Sequence, residues 1–192
     1  MIDFIRFDYR GTVDFGFKTY VVFGEETESN YQGCMIYASS TKELREMLRG
    51  VDGLIGVMSE RVEVNRYAVM RKKVDVLLDF PGRKLDYPTF KLAREKDVLI
   101  EVSLSTLMCF EGWRRVNYLD ELRTMFRVIN KFDTPFILTS GAENIYGMRK
   151  KSQIYHVFDF LGADVERAKF WAERLYRRLY DDSYIMDGVE IL

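Results

Sequence analysis

Seven short runs of apolar and β-branched residues punctuate the chain, at 3–8, 20–23, 34–38, 53–58, 74–80, 98–103 and 136–139. Several of the later ones, such as Val74-Asp-Val-Leu-Leu78, Val98-Leu-Ile-Glu-Val102 and Phe136-Ile-Leu-Thr-Ser140, are apolar almost throughout. That is the pattern of parallel strands covered on both faces, because an antiparallel strand with one wet face alternates instead. Between them the period lengthens to that of a helix. Thr41 is placed to cap a helix with Leu44, Met47 and Leu48 on one face. Residues 65–73 form a short candidate, and 89–96 another behind Pro88. Asn117 is a potential cap with Asp120 and Glu121 in the first turn, where acids suit the dipole. Leu119, Leu122, Phe126 and Ile129 then recur at helical spacing, and Pro135 introduces the next strand. A helix over 149–161 is expected to stop at Gly162, a left-handed position in waiting. Asp164 caps a last helix with Val165, Ala168, Ala172, Leu175 and Leu179 along one side.

Strand–helix alternation from Cys34 onward requires right-handed crossovers and hence a parallel sheet. Seven strands exceed what a small flavodoxin-like sheet uses, whereas a full eight-unit TIM barrel takes about 250 residues. The first two connections are too short or too polar for full helices. The expected fold is therefore α/β: a reduced or irregular TIM-like barrel of about seven mostly parallel strands with outer helices. An open doubly wound sheet is the alternative. No linker, repeat or low-complexity stretch interrupts the chain, so residues 1–192 read as a single domain.

Composition narrows the setting more than the function. The 192 residues carry 29 basic and 30 acidic side chains, so no global field draws the chain to nucleic acid or membrane. Two cysteines, Cys34 and Cys109, make no disulfide framework, and no secretory leader or membrane span is legible; a cytoplasmic setting is expected. Charge is unevenly spread, however. Residues 1–60 hold six basic and ten acidic side chains, with Glu25, Glu26 and Glu28 clustered, while 61–96 hold ten basic and five acidic, a local net of +5. The acidic third is expected to face solvent or a protein partner; the basic block is the place for a local anion-binding patch or a solvated helical face.

Candidate chemistry is mostly excluded. A single histidine, His156, rules out a His-rich transition-metal centre. The cysteines stand far apart with no histidine beside them, and the glycines fall outside any P-loop or dinucleotide frame. Acids at the C-terminal ends of barrel strands nominate Asp8, Asp79, Glu101 and Ser103, either for a hard cation or as loop caps and ion-pair partners of Arg6, Arg10 or Arg83. The loop Thr139-Ser-Gly-Ala142 is a possible backbone cradle for an anion. Basic clusters lie at Arg71-Lys72-Lys73, Arg83-Lys84, Arg149-Lys150-Lys151 and Arg177-Arg178. Tyrosines interleave with them, as stacking platforms for unpaired bases do and as chance allows among twelve tyrosines.

Several of these stretches together resemble one family. Val74-Asp-Val-Leu-Leu-Asp79, Pro81-Gly-Arg-Lys-Leu-Asp86, the run from Phe90 to Leu104, Phe136-Ile-Leu-Thr-Ser-Gly-Ala142, Met148-Arg149 and Phe160-Leu-Gly162 are similar to archaeal ribonuclease P protein component 3. That family is the counterpart of the thirty-kilodalton subunit of the eukaryotic enzyme, and the likeness spans about residues 52–170. It implies a reduced TIM-like barrel beside a catalytic RNA that removes the 5′ leader of precursor tRNA. The RNA would hold the Mg²⁺ ions, the chain itself would bind no cofactor and catalyse nothing alone, and component 2 would be a protein partner. The family's RNA-associated basic positions match Arg66, Arg83, Lys96, Arg149 and Lys169; Lys72 and Lys150 extend the same basic clusters. Tyr87 stands where the family often has histidine, which loosens any link to phosphoesterase barrels. Two other readings stay open: a free-standing Mg²⁺-dependent phosphoesterase using Asp79 and Glu101, and a structural protein-interaction barrel.

Overall fold

A computed structural model describes residues 1–24, 32–186 and 189–190; the acidic cluster at 25–28 lies outside them. Seven strands pair in chain order and all in parallel: β1 (Ile2–Ile5), β2 (Thr19–Gly24), β3 (Gly33–Tyr37), β4 (Leu54–Met58), β5 (Val76–Leu77), β6 (Leu99–Ser103) and β7 (Phe136–Thr139). The ends of the sheet meet. A bridge joins Ile5 to Ala142, Arg6 N–H donates to the Ala142 carbonyl at 2.8 Å, and Gly141 N–H to that of Phe4 at 3.1 Å. The result is a nearly closed α/β TIM-like barrel.

Helices α1 (Thr41–Met47), α2 (Val62–Val69), α3 (Tyr87–Lys96), α4 (Leu104–Cys109), α5 (Gly112–Phe132), α6 (Lys151–Phe160) and α7 (Val165–Tyr180) follow the strands. A short antiparallel pair, β8 (Tyr184–Met186) and β9 (Val189–Glu190), stands apart from the barrel. Alternation along each strand sorts the side chains. Ile36, Ile55, Val57, Leu77, Ile100, Val102 and Leu138 point outward under the helices, while Ile2, Phe4, Val21, Phe23, Leu54, Val76, Leu78, Leu99 and Ile137 fill the interior. Seven strands leave a narrow bore, and two glycines make it fit. A Cβ on Gly33 would sit 2.6 Å from the Phe23 ring, and one on Gly56 2.5 Å from Leu78.

One helix does not follow the barrel pattern. Trp171, Ala172 and Leu175 of α7 pack with the interior residues rather than under an outer helix. Its charged residues reach groups that precede four different strands: Glu173 binds Lys18 at 2.7 Å, Arg178 binds Asp75 at 2.7 Å, Arg174 binds Asp97 at 2.6 Å, and Arg167 pairs with Asp133. Helix α7 therefore floors the barrel at the N-terminal ends of its strands. Asp97 and Asp133 end α3 and α5 in the left-handed conformation, with φ of 60° and 56°. An acid is misplaced at a helix C-terminus, and the arginines of α7 neutralise both.

Several sequence boundaries move. Strand β5 shrinks from 74–80 to two residues, because beyond Leu78 side chains replace the ladder: Asp79 N–H donates to the Glu101 carboxylate at 2.8 Å. The helix expected from Asn117 starts at Gly112, since its exposed first turns carry no apolar stripe to mark them. The helix expected over 65–73 runs three residues earlier and stops at Val69, leaving Arg71-Lys72-Lys73 in a turn. Helix α4 and the β8–β9 pair carry too few residues to show a period. Among the described residues, no helix is long and apolar enough to cross a membrane.

Candidate nucleic-acid interface

The C-terminal mouth of the barrel, where the sequence nominated strand-end carboxylates, holds a buried network in which the carboxylates are paired and one nitrogen of the Arg6 guanidinium is left without a partner. Glu101 is fully buried; it accepts from Arg6 at 2.5 Å, from Asp79 N–H at 2.8 Å and from the Thr139 hydroxyl at 2.7 Å. Asp79 pairs with Arg83 at 2.9 Å and accepts from Ser103 N–H at 2.8 Å and from its hydroxyl at 3.2 Å. Burial pushes the Asp79 carboxyl above its ordinary range despite the Arg83 charge beside it. Two arginines thus balance two carboxylates, and the acids' oxygens are already committed. Asp8 sits apart on the surface, paired with Arg10 at 2.6 Å. Among the described residues, no group of three or more His, Cys, Asp or Glu is placed to hold a metal ion.

The anion cradle expected at Thr139-Ser-Gly-Ala142 is not available. Ser140 N–H donates to Asp3 at 2.6 Å, Gly141 N–H to the Phe4 carbonyl, and Ala142 N–H to the Ser140 hydroxyl at 3.3 Å. These donors close the barrel seam, so none is left for a ligand. Asp3 is fully buried there, and desolvation raises its pKa to about 7 against the lowering effect of Ser140.

The seven basic residues expected at RNA do not form one cluster. Arg83 is drawn inside, its side chain only 4% exposed, with its guanidinium also donating to the carbonyls of Leu77 at 3.2 Å and Glu101 at 2.7 Å. Arg66, half-exposed on α2, pairs with Asp86, which caps α3 through Thr89 N–H at 3.1 Å. Burial works against the Asp86 carboxylate, but its bonds to Thr89 and Arg66 together hold its pKa below the usual value. Arg149 and Lys150 lie in the segment that follows β7; Arg149 donates to the carbonyls of Tyr146 at 2.6 Å and Met148 at 2.8 Å, and the Tyr146 side chain is exposed. Lys72 follows the C-terminal end of α2 and Lys96 is the last residue of α3, both at the opposite end of the barrel. Lys169, on α7, pairs with Glu166 at 2.6 Å.

Between the β5–α3 loop and α5 runs a cleft of 770 Å³, lined among others by Arg83, Asp86, Tyr87, Tyr118 and Glu121. Burial, with the Asp79 carboxylate next to it, raises the Tyr118 phenol and keeps it neutral. Sequence reasoning did not reach this cleft, because only the fold brings residues 117–128 of α5 against the β5–α3 loop.

The model for RNase P subunit p30 matches residues 18–182. The chain belongs to the RNase P p30 family. Its relatives include ribonuclease P protein component 3 of Archaeoglobus fulgidus, 46% identical over 100% of this chain and 96% of that protein. The component 3 of Methanocaldococcus jannaschii is 30% identical over 84% of this chain and 75% of the relative. In fold, this p30-family chain resembles a chain in the cryo-EM structure of archaeal ribonuclease P with mature tRNA, with a TM-score of 0.79 at 22% identity, covering 100% of this chain and 98% of that one. The p30 match extends well before residue 52, where the legible likeness in the sequence began.

Proposed function

We propose that this chain acts, as one barrel domain, in the role of an RNA-organising protein subunit of ribonuclease P, the ribonucleoprotein that removes the 5′ leader of precursor tRNA. Family membership across residues 18–182 carries the reading. The mouth supports an accessory role: the strand-end acids that a barrel hydrolase would use are consumed by Arg6, Arg83, Ser103 and Thr139, so Asp79 and Glu101 do not fit a cation or a general base. In this reading the Mg²⁺ of the holoenzyme is held by RNA, the chain is not catalytic alone, component 2 is among its protein partners, and the complex works in the cytoplasm.

The chain's contribution is electrostatic. Exposed Arg and Lys neutralise phosphates and release counterions, so binding weakens as salt rises. Arg149 and Lys150 beside Tyr146, together with Arg66, Lys72, Lys96 and Lys169, are the phosphate-facing candidates. Arg83 instead shapes the mouth from inside. Precursor-tRNA cleavage by ribonuclease P reconstituted with and without the chain tests the role. A higher RNA-dependent rate with the chain, and no turnover by the chain alone, is expected. Double substitution Arg149→Gln with Lys150→Gln is expected to lessen the log–log salt slope of RNA binding by about 1.4 to 1.8. An unchanged cleavage rate on adding the chain would refute the role.

A further inference from the structure

A concentration of positive charge lies away from the barrel mouth, where α1 and α2 end side by side. A cleft of 490 Å³ opens there, walled by Arg45, Arg49, Tyr67, Arg71, Lys72 and Lys73 over Leu48, with no acid in its lining. Tyr67 organises it. Its hydroxyl accepts from Arg45 Nε at 3.0 Å, and the Arg71 guanidinium lies over its ring with 4.0 Å to the centroid. The Arg45 bond holds the Tyr67 phenol below its ordinary pKa. An arginine stacked on a ring keeps its in-plane N–H donors directed outward, in the fork that fits phosphate.

The ordinary reason for cations here is the helix dipole, since both helices present their C-terminal ends. That reason falls short. Two helix ends carry about one negative charge between them, and Asp52, 3.1 Å from Lys73, adds one more. Against these stand five cations, leaving about +3. Arg49, Arg71 and Lys72 have no carboxylate partner among the described residues, and all three are exposed.

We propose that this cleft is an RNA phosphate-binding site, with Arg49, Arg71 and Lys72 taking successive backbone phosphates and Tyr67 acting as the positioning residue that fixes Arg45 and Arg71. The proposal rests on the RNA-subunit reading and adds a second RNA-facing surface to that of Arg149 and Lys150, at the other end of the barrel. Cations spread across two helix ends suit a polyanion better than a single small anion.

The test is binding of in vitro transcribed ribonuclease P RNA to the full chain across a salt series. The triple variant Arg49→Gln/Arg71→Gln/Lys72→Gln changes only exposed side chains and is expected to fold as the parent does, which circular dichroism checks. Loss of three phosphate contacts should lessen the log–log salt slope by about 2 to 3. Tyr67→Phe, which keeps the ring and drops the Arg45 bond, should weaken binding less than Tyr67→Leu at equal stability. A triple variant with the parent's salt slope overturns the proposal. So does a variant that binds RNA normally but no longer joins the other protein subunits, which would make the cleft a protein contact. If the parent chain itself shows no salt-dependent RNA binding, the RNA-subunit reading fails first and the proposal with it.

Discussion

The guanidinium of Arg6 and the carboxylate of Glu101 meet at 2.5 Å inside the barrel mouth, joining the end of the first strand to the sixth across the bore. Their side chains are 10% and 0% exposed. Arg6 also lies 5.4 Å from the centroid of Phe23, so the pair rests directly on the apolar filling of the barrel. Breaking a buried pair leaves a charge without compensation. Glu101→Ala is therefore expected to cost about 3–5 kcal/mol, read as a lower urea midpoint. Combining Arg6→Met with Glu101→Leu should recover much of that loss, and a double variant no more stable than Glu101→Ala would show the pair is not the cause.

The seam between β1 and β7 titrates. Asp3 shifts from 3.8 to about 7 on folding, so the folded chain binds a proton that the unfolded chain has released between those values. The stability it contributes is complete below pH 3.8 and is lost as pH rises through about 7. Within that window Asp3 is expected to lower stability with rising pH by at most about 1.4 kcal/mol per pH unit. Urea midpoints of the parent and Asp3→Asn at pH 5 and pH 7.5 isolate this share, and the variant should lose less stability than the parent over that interval. Equal losses would place the titration elsewhere.

The floor helix should be as costly to damage as the core. Trp171 fills the base of the bore, and Trp171→Ala is expected to cost about 3–5 kcal/mol. Arg178→Gln, which weakens the bond from the half-exposed Arg178 to the largely buried Asp75, should cost less, about 0.5–1.5 kcal/mol. Thermal melts of both variants check the order; the reverse order would mean that charge, not packing, holds α7 in place.

Asp86 does two jobs, capping α3 and holding Arg66. Asp86→Ala is expected to cost about 0.5–2 kcal/mol of stability through the lost cap and to free the Arg66 guanidinium. If Arg66 faces phosphate, the variant should bind RNA more tightly at low salt while melting earlier. Tighter binding without a lower melting temperature would contradict the capping role.

The strands were legible because burial on both faces leaves a nearly unbroken apolar run, as at Ile100 and Val102. The reduced barrel followed from counting those runs against the chain length. Asp164 and Gly162 marked the turn into α7 correctly, through a side-chain cap and a φ of +95°. What escaped the sequence was everything set by groups distant along the chain. The stripe of α7 announced a buried face but not that the face looks into the bore, because Trp171 and Leu175 read alike against a sheet's outside or its open end. Arg83 looked like a surface cation, since nothing near it in sequence says that Asp79 and the Leu77 and Glu101 carbonyls enclose it. The α1 arginines likewise gave no sign of standing beside Arg71, since only the fold brings Arg45 to Tyr67.

The position of α7 also bears on how the molecule is made. Every strand of the barrel precedes residue 140, and the helix that seals its base begins at Val165. During synthesis the chain passes through a stage in which all seven strands exist while Leu54, Leu99 and Ile137 still face an unsealed opening. The closing contact from Lys18 to Glu173 spans 155 residues, the kind of distant pairing that slows folding. Between the making of β7 and the making of α7 the apolar filling at the base of the bore therefore stays open to water, the kind of transiently exposed surface that promotes aggregation.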